Sequence, residues 1–244
     1  MGWIDGGLLG FDTETTGVTP TQERLVTAAL VWRPPVENPG TADAVRPHDY
    51  EKTWLADPGV PIPEQASRVH GITTEVAQRD GRPVEEVLEE VASELASAMK
   101  AHVPIVAFNA TYDLTLMECE LARHGMPTIV QRCGGELGPI IDPLVIDRKV
   151  DRWRKGKRRL ADMCAAYHVT TGENLHTAEV DVTATLDVLE AICRTHQDFS
   201  AIPLKDLNAW QENAHREWAT GFNDWLARSK PDSQPTSLKW PLVL

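Results

Sequence analysis

Asp12 and Glu14 stand two residues apart, after the apolar run Leu8-Leu9-Gly10-Phe11 and before a turn at Thr16-Gly17. Side chains alternate along a strand, so both carboxylates point to one side and Phe11 and Thr13 to the other. Two like charges side by side destabilise a strand unless something positive lies between them. A hard divalent cation meets that need, because oxygen ligands suit Mg²⁺ or Mn²⁺. The plainer alternative is a solvated acidic strand end.

Three further stretches carry chemistry-grade residues. Phe108-Asn109-Ala110-Thr111-Tyr112-Asp113 joins a short apolar strand, Pro104 to Phe108, to a helix over Tyr112 to His124. Asp113 lies in the first turn, where a carboxylate complements the helix dipole. The preceding strand brings it to the edge of the sheet that carries Asp12. His176-Thr177-Ala178-Glu179-Val180-Asp181 opens a second helix, with Asp181 on the stripe of Ala184, Thr185 and Val188. An aspartate on a core-facing stripe is costly unless paired or metal-bound. His70-Gly71-Ile72-Thr73 reads by itself as a turn with a polar residue.

The elements that must position these residues follow from periodicity. Leu8 to Phe11, Leu25 to Trp32 and Tyr50 to Leu55 read as strands, the first two close enough for a hairpin. Short helices follow Pro63 and Thr73. From Pro83, Val84, Val87, Leu88, Val91, Leu95 and Ala98 form an apolar stripe, and five glutamates lie mostly off it. Gln131 to Pro139 is loop, Ile140 to Ile146 a short strand entering a helix, and Leu160 to Tyr167 a helix. Arg148 to Arg159 holds eight basic residues. A last helix from Pro203 to about Arg228 has Trp210, Trp218 and Trp225 on one side, a face for packing back on the domain or for docking a partner.

The 244 residues suffice for one large domain, here 1–197, with an extension at 198–244. No basic segment followed by an apolar run opens the chain, and no stretch approaches the roughly 20 apolar residues that span a membrane. A cytoplasmic protein without a membrane role is expected. The four cysteines form no C-x-x-C pair and are expected to be reduced. A net charge of −12 argues against indiscriminate adhesion to a polyanion, but local charge decides where a strand docks. Arg152, Arg154, Lys155, Lys157 and Arg158 are the candidates for tracking a phosphodiester backbone.

Taken in order, Phe11-Asp12-Thr13-Glu14-Thr15-Thr16-Gly17, Asn109 to Asp113 and His176 to Asp181 resemble the three motifs of the DEDDh, or DnaQ-like, exonucleases. The group includes the proofreading epsilon subunit of bacterial DNA polymerase III. The likeness runs from about residue 7 to 197, and His70-Gly71-Ile72-Thr73 is similar to a further signature of the group. The tyrosine-type branch has Tyr four residues before the last Asp; here a histidine stands five before it.

The resemblance implies an α/β, ribonuclease H-like fold: a mixed five-stranded sheet, its first three strands antiparallel, flanked by helices. It implies two divalent metals (Mg²⁺ or Mn²⁺) with Asp12, Glu14, Asp113 and Asp181 as ligands and His176 as general base. Substrate contacts would fall on Thr15, Thr16, His70, Phe108 and Asn109. The implied reaction is 3′–5′ hydrolysis at DNA 3′ ends, single-stranded or frayed, releasing nucleoside 5′-monophosphates. RNA trimming is the alternative within the family, and a non-catalytic polymerase- or nucleic-acid-binding module the alternative outside it. A DNA polymerase is the implied protein partner.

Overall fold

The computed structural model describes residues 2–170 and 177–244. Three strands form an antiparallel meander: β1 (Leu8–Thr15), β2 (Leu25–Arg33) and β3 (Tyr50–Asp57). Three two-residue strands extend it in parallel: β4 (Arg82–Pro83) beside β3, β5 (Ile105–Val106) beside β1, and β6 (Ile140–Ile141) beside β5. Among the described residues the sheet order is β4-β3-β2-β1-β5-β6. Helices α1 (Glu64–His70) and α2 (Thr74–Asp80) follow β3, and α3 (Val84–Lys100) follows β4. Next come α4 (Ala110–Arg123), α5 (Ile129–Arg132), α6 (Pro143–Val150) and α7 (Leu160–Ala166). Then come α8 (Ala178–Thr195), α9 (Gln197–Ser200) and α10 (Leu204–Ser229).

The expected mixed α/β sheet is present, but with six strands rather than five. Arg82 and Pro83 pair with Ala56 and Asp57, just before the helix that Pro83 was expected to open. Proline lacks an N–H and tolerates only a sheet edge, which is where it sits. β1 also runs past Phe11 to Thr15, because β2 supplies ladder partners as far as Leu25. Within the expected loop 131–139, Ile129–Arg132 reaches in as a helical turn held by a capping box between Thr128 and Gln131.

The two sheet faces divide the core by the parity of β1. Leu9 and Phe11 pack with Val87, Leu88 and Leu95 of α3 and with Leu114 and Met117 of α4. Leu8 packs with Val182, Leu186 and Leu189 of α8. Gly10 faces α8 as well: a Cβ there would lie 2.3 Å from Val182 Cγ1, so the glycine lets the helix close on the strand.

Helix α10 lies against α6 and β6. The Asn208 side chain accepts from Ile140 N (2.9 Å) and donates to the Gly138 carbonyl (3.0 Å). Gln211, fully buried, donates to the Ile140 carbonyl (2.6 Å) and accepts from Asp142 N (2.7 Å). The three tryptophans of α10 play different parts. Trp210 packs on Phe199, with ring centroids 5.2 Å apart, whereas Trp225 is 43% exposed. All four cysteines are free thiols. Among the described residues no helix is long and apolar enough to cross a membrane.

Candidate active site

Asp12 stands opposite Ala29 and Glu14 opposite Thr27 in the β1–β2 ladder, and the register slips between Glu14 and Thr15. Such an irregularity re-aims the side chains beside it. Asp12 and Glu14 share the parity of Gly10 and therefore the α8 side of the sheet. Asp181 lies in the first turn of α8, one residue before the Val182 that rests over Gly10.

Asp113 comes from the other layer, in the first turn of α4, and is only 3% exposed. Thr13, on the opposite side of β1 from Asp12, donates to Asp113 Oδ1 through both its N–H (3.1 Å) and its hydroxyl (2.6 Å). The residue between the two strand carboxylates thus orients the third.

The start of α4 is fixed by a residue that the sequence patterns did not single out. Asn109, at φ 63°, makes no side-chain cap. Instead Asp142 accepts from Asn109 N and Ala110 N, each at 3.0 Å, and also caps its own helix through Leu144 N (3.0 Å). The Asp142-Pro143 pair signals the local cap. Nothing in the local pattern signals its reach to α4, which arises because β5 and β6 run parallel and side by side.

The charges in this cluster feel one another. Asp12 is pushed well above the usual carboxylate range by burial and by the charges of Asp113, Glu14 and Asp181. Burial, with Asp181 and Asp113, raises Glu14 to about 7. Asp113 also rises to about 7, chiefly through burial, against the lowering effect of its Thr13 bonds. Among the described residues, however, no group of three or more His, Cys, Asp or Glu side chains is gathered tightly enough to hold an ion. The donor chemistry fits a hard divalent cation, and the mutual repulsion is what such a cation would relieve. His176 lies outside the described residues.

Thr15 and Thr16 are buried, and their hydroxyls hold the turn: Thr15 Oγ1 lies 2.5 Å from the Tyr112 hydroxyl, and Thr16 Oγ1 donates to Glu23 Oε2 (2.7 Å). His70 is buried, and its Nδ1 accepts from Ile72 N (3.1 Å), which puts the proton of the neutral ring on Nε2. Burial holds His70 below its ordinary pKa, partly offset by the Thr15 backbone. A cleft of about 240 Å³ lined by Glu14, Trp54, His70, Ile72 and Thr177 opens beside it. Phe108 is half-buried against the α8 side of the core, and Asn109 is exposed.

The basic run is less uniform than its sequence suggests. Arg154 Nη2 and Arg158 Nε each lie 2.6 Å from Oδ2 of Asp147, a fully buried carboxylate whose other oxygen accepts from the Tyr167 hydroxyl (2.8 Å). A buried charge requires such partners. Arg152, Lys155 and Lys157 remain exposed.

A family model described as an exonuclease, RNase_T, matches residues 9–189. DNA polymerase III PolC-type from Streptococcus sanguinis (strain SK36) is 28% identical over 217 residues, covering 87% of this chain and 13% of that protein. The PolC-type polymerase of Streptococcus suis (strain 98HAH33) is 30% identical over 183 residues, 74% of this chain and 11% of that one. Among solved structures, exonuclease I from Methylocaldum szegediense aligns with a TM-score of 0.63 at 16% identity, over 88% of this chain and 46% of that one. E. coli exonuclease I in complex with a dA16 oligonucleotide aligns with a TM-score of 0.60 at 17% identity, over 86% and 44%. The chain therefore spans a small part of the polymerases and under half of the exonuclease I chains.

Proposed function

This chain belongs to the RNase_T exonuclease family, and from that premise we propose that it is a metal-dependent 3′–5′ exonuclease acting on DNA 3′ ends. The proposal is supported by the family match over residues 9–189, with Asp12 and Glu14 on the side of β1 that α8 covers, Asp181 in the first turn of α8, and the Asp113 carboxylate bonded to the intervening Thr13. Carboxylates that push one another's pKa upward suit a site whose working form contains cations.

Asp12, Glu14 and Asp181 would hold one ion, and Asp12 with Asp113 a second. When bound, such a pair activates a water and steadies the leaving 3′ oxygen of a phosphodiester. Thr13 keeps the Asp113 carboxylate turned toward β1, and Asp142 keeps the helix that carries it in register. His176 would take the proton of the attacking water, since an imidazole titrates near neutrality. The terminal nucleotide would lie against the turn at Thr15 and Thr16. Their hydroxyls are committed within the protein, so this contact falls to the backbone. His70, Phe108 and Asn109 would border it. The likeness to PolC-type DNA polymerase III supports DNA as the substrate and a DNA polymerase as the partner.

The test uses 5′-labelled single-stranded DNA and RNA of one sequence, with Mg²⁺, Mn²⁺ or chelator. A metal-dependent ladder of shortened DNA, absent in Asp12→Ala, is expected. Cleavage of RNA alone would reassign the substrate, and no cleavage with metal demonstrably bound would leave a binding module.

A further inference from the structure

A cleft of about 630 Å³ lies between the segment that follows α6 and the outer face of α10. Arg148, Arg152, Trp153 and Trp218 are among its walls. A second cavity, of about 210 Å³, shares Arg148 and Trp218 with it. That cavity also touches Asn109 and Thr111, at the amino end of the helix that carries Asp113. The two adjoin at Arg148 and Trp218 and run from the amino end of α4 to the aromatic face of α10.

The lining has the chemistry of a nucleic-acid track. Trp218, Phe222 and Trp225 are stacked along α10, with centroids 5.3 and 5.6 Å apart and planes within 12° and 25° of parallel. The Arg148 guanidinium lies 3.5 Å above the Trp218 ring, and Lys230 lies 5.8 Å from Trp225. Trp153 is 84% exposed, with Arg152 5.1 Å from its ring. Two acids share the cleft, but Glu217 is paired with Lys149 and Asp151 with Arg154. Arg148 and Arg152 form no ion pair among the described residues. Arg148 does feel the buried Asp142 and Asp147, and Arg152 feels Glu217. On a chain of net charge −12, an exposed indole beside guanidinium groups suits a polyanion with flat, stackable bases better than an acidic peptide.

We propose that this cleft binds single-stranded DNA, with a base stacked on Trp153 and phosphates on Arg148 and Arg152, upstream of the 3′ end held at the acids. The inference rests on the exonuclease reading and extends it: the enzyme grips several nucleotides behind the one it removes. A strand whose end sits at Asp113 would leave past Asn109 and Arg148.

The test measures binding of fluorescein-labelled oligothymidylates with Ca²⁺ in place of Mg²⁺ or Mn²⁺, so that the 3′ end is held and nothing is cleaved. One is about 4 nucleotides long and fills the acidic site alone; another of about 16 reaches the cleft. The wild type should bind the longer one more tightly. Trp153→Ala should weaken the longer one about 10-fold, the order expected for a lost base–aromatic stack, and leave the shorter unchanged. Arg152→Glu should also lower the salt dependence of the longer one. Both positions are exposed, and circular dichroism checks the fold. Hydrolysis of a chromogenic thymidine 5′-phosphodiester, too small to reach the cleft, should be equal in all three proteins. Equal affinity for the two lengths, or no effect of Trp153→Ala, would overturn the proposal. Tighter binding of oligouridylate would overturn its assignment to DNA, and binding of a polymerase on this face with no oligonucleotide bound would reassign it to protein. If the cleft binds strands as described but no substrate is cleaved, the exonuclease reading fails while the strand track stands.

Discussion

Glu14→Gln should make the metal-free protein more stable while removing its activity. The Glu14 carboxyl titrates at about 7 instead of its ordinary 4.5, because it is buried beside Asp181 and Asp113. Below pH 4.5 it is protonated in both the folded and the unfolded chain, and contributes nothing to the balance. As pH rises from there toward 7, the unfolded chain has released the proton while the folded one keeps it, so stability falls. Above 7 the full cost is present, at most about 3 kcal/mol at 1.36 kcal/mol per tenfold step. Solvent reaching the half-buried carboxylate reduces this to about 2 kcal/mol. Glutamine cannot ionise, so at pH 8 in chelator Glu14→Gln should melt about 4–8 °C higher than the wild type. At pH 4.5, where the unfolded-state carboxyl is half ionised, the gap should shrink to about 1 °C. Calorimetry at the two pH values reads the difference directly. Mn²⁺ or Mg²⁺ should raise the wild-type Tm by binding the folded state alone, and raise that of Glu14→Gln less. A variant that melts at or below the wild type at pH 8, or higher by the same margin at both pH values, would refute the argument that charge repulsion is stored at this site.

Three further outcomes follow from the packing. Thr13→Val removes the hydroxyl that orients Asp113 but stays a good strand residue; kcat should fall about 10- to 100-fold, the range of a lost bond to a charged group, with Tm changed by no more than a few degrees. Gly10→Ala puts a Cβ against Val182; chemical denaturation should show a loss of about 1–3 kcal/mol from overpacking, and activity should fall further than stability because α8 carries Asp181. Asp147→Ala strips Arg154 and Arg158 of their buried partner and should cost about 3–5 kcal/mol in urea unfolding.

The parts of the site legible in the sequence are those written in local periods. The two-residue spacing of Asp12 and Glu14 put them on one face, and the structure keeps that parity. Asp113 and Asp181 were readable because each sits where an apolar stripe begins. The Asp142 link was not readable, since it joins residues 33 apart that meet only because β5 and β6 are neighbours. Nor was the division within the basic run. Arg154 and Arg158 look like Lys155 and Lys157 in sequence, and only the burial of Asp147 separates them. The sixth strand was hidden because its two residues gain extended pairing from β3, not from any preference of Arg-Pro.

The paired amides of Asn208 and Gln211 have a further consequence. Each primary amide offers N–H donors and a carbonyl acceptor, the functions of a peptide group, and together they occupy the outward backbone groups of Ile140 and the N–H of Asp142. They stand in for the next strand. The opposite margin of the sheet ends in a two-residue strand closed by Pro83. The two amides thus close the β6 margin to strand addition, whereas β4 covers only Ala56 and Asp57 and leaves the outer edge of β3 from Tyr50 to Leu55 without a ladder partner among the described residues. Removing α10 would uncover the β6 margin as well and favour aggregation by strand addition. Loss of solubility on truncation would then report an opened edge, and Asn208→Leu with Gln211→Leu should reproduce it in the full-length chain.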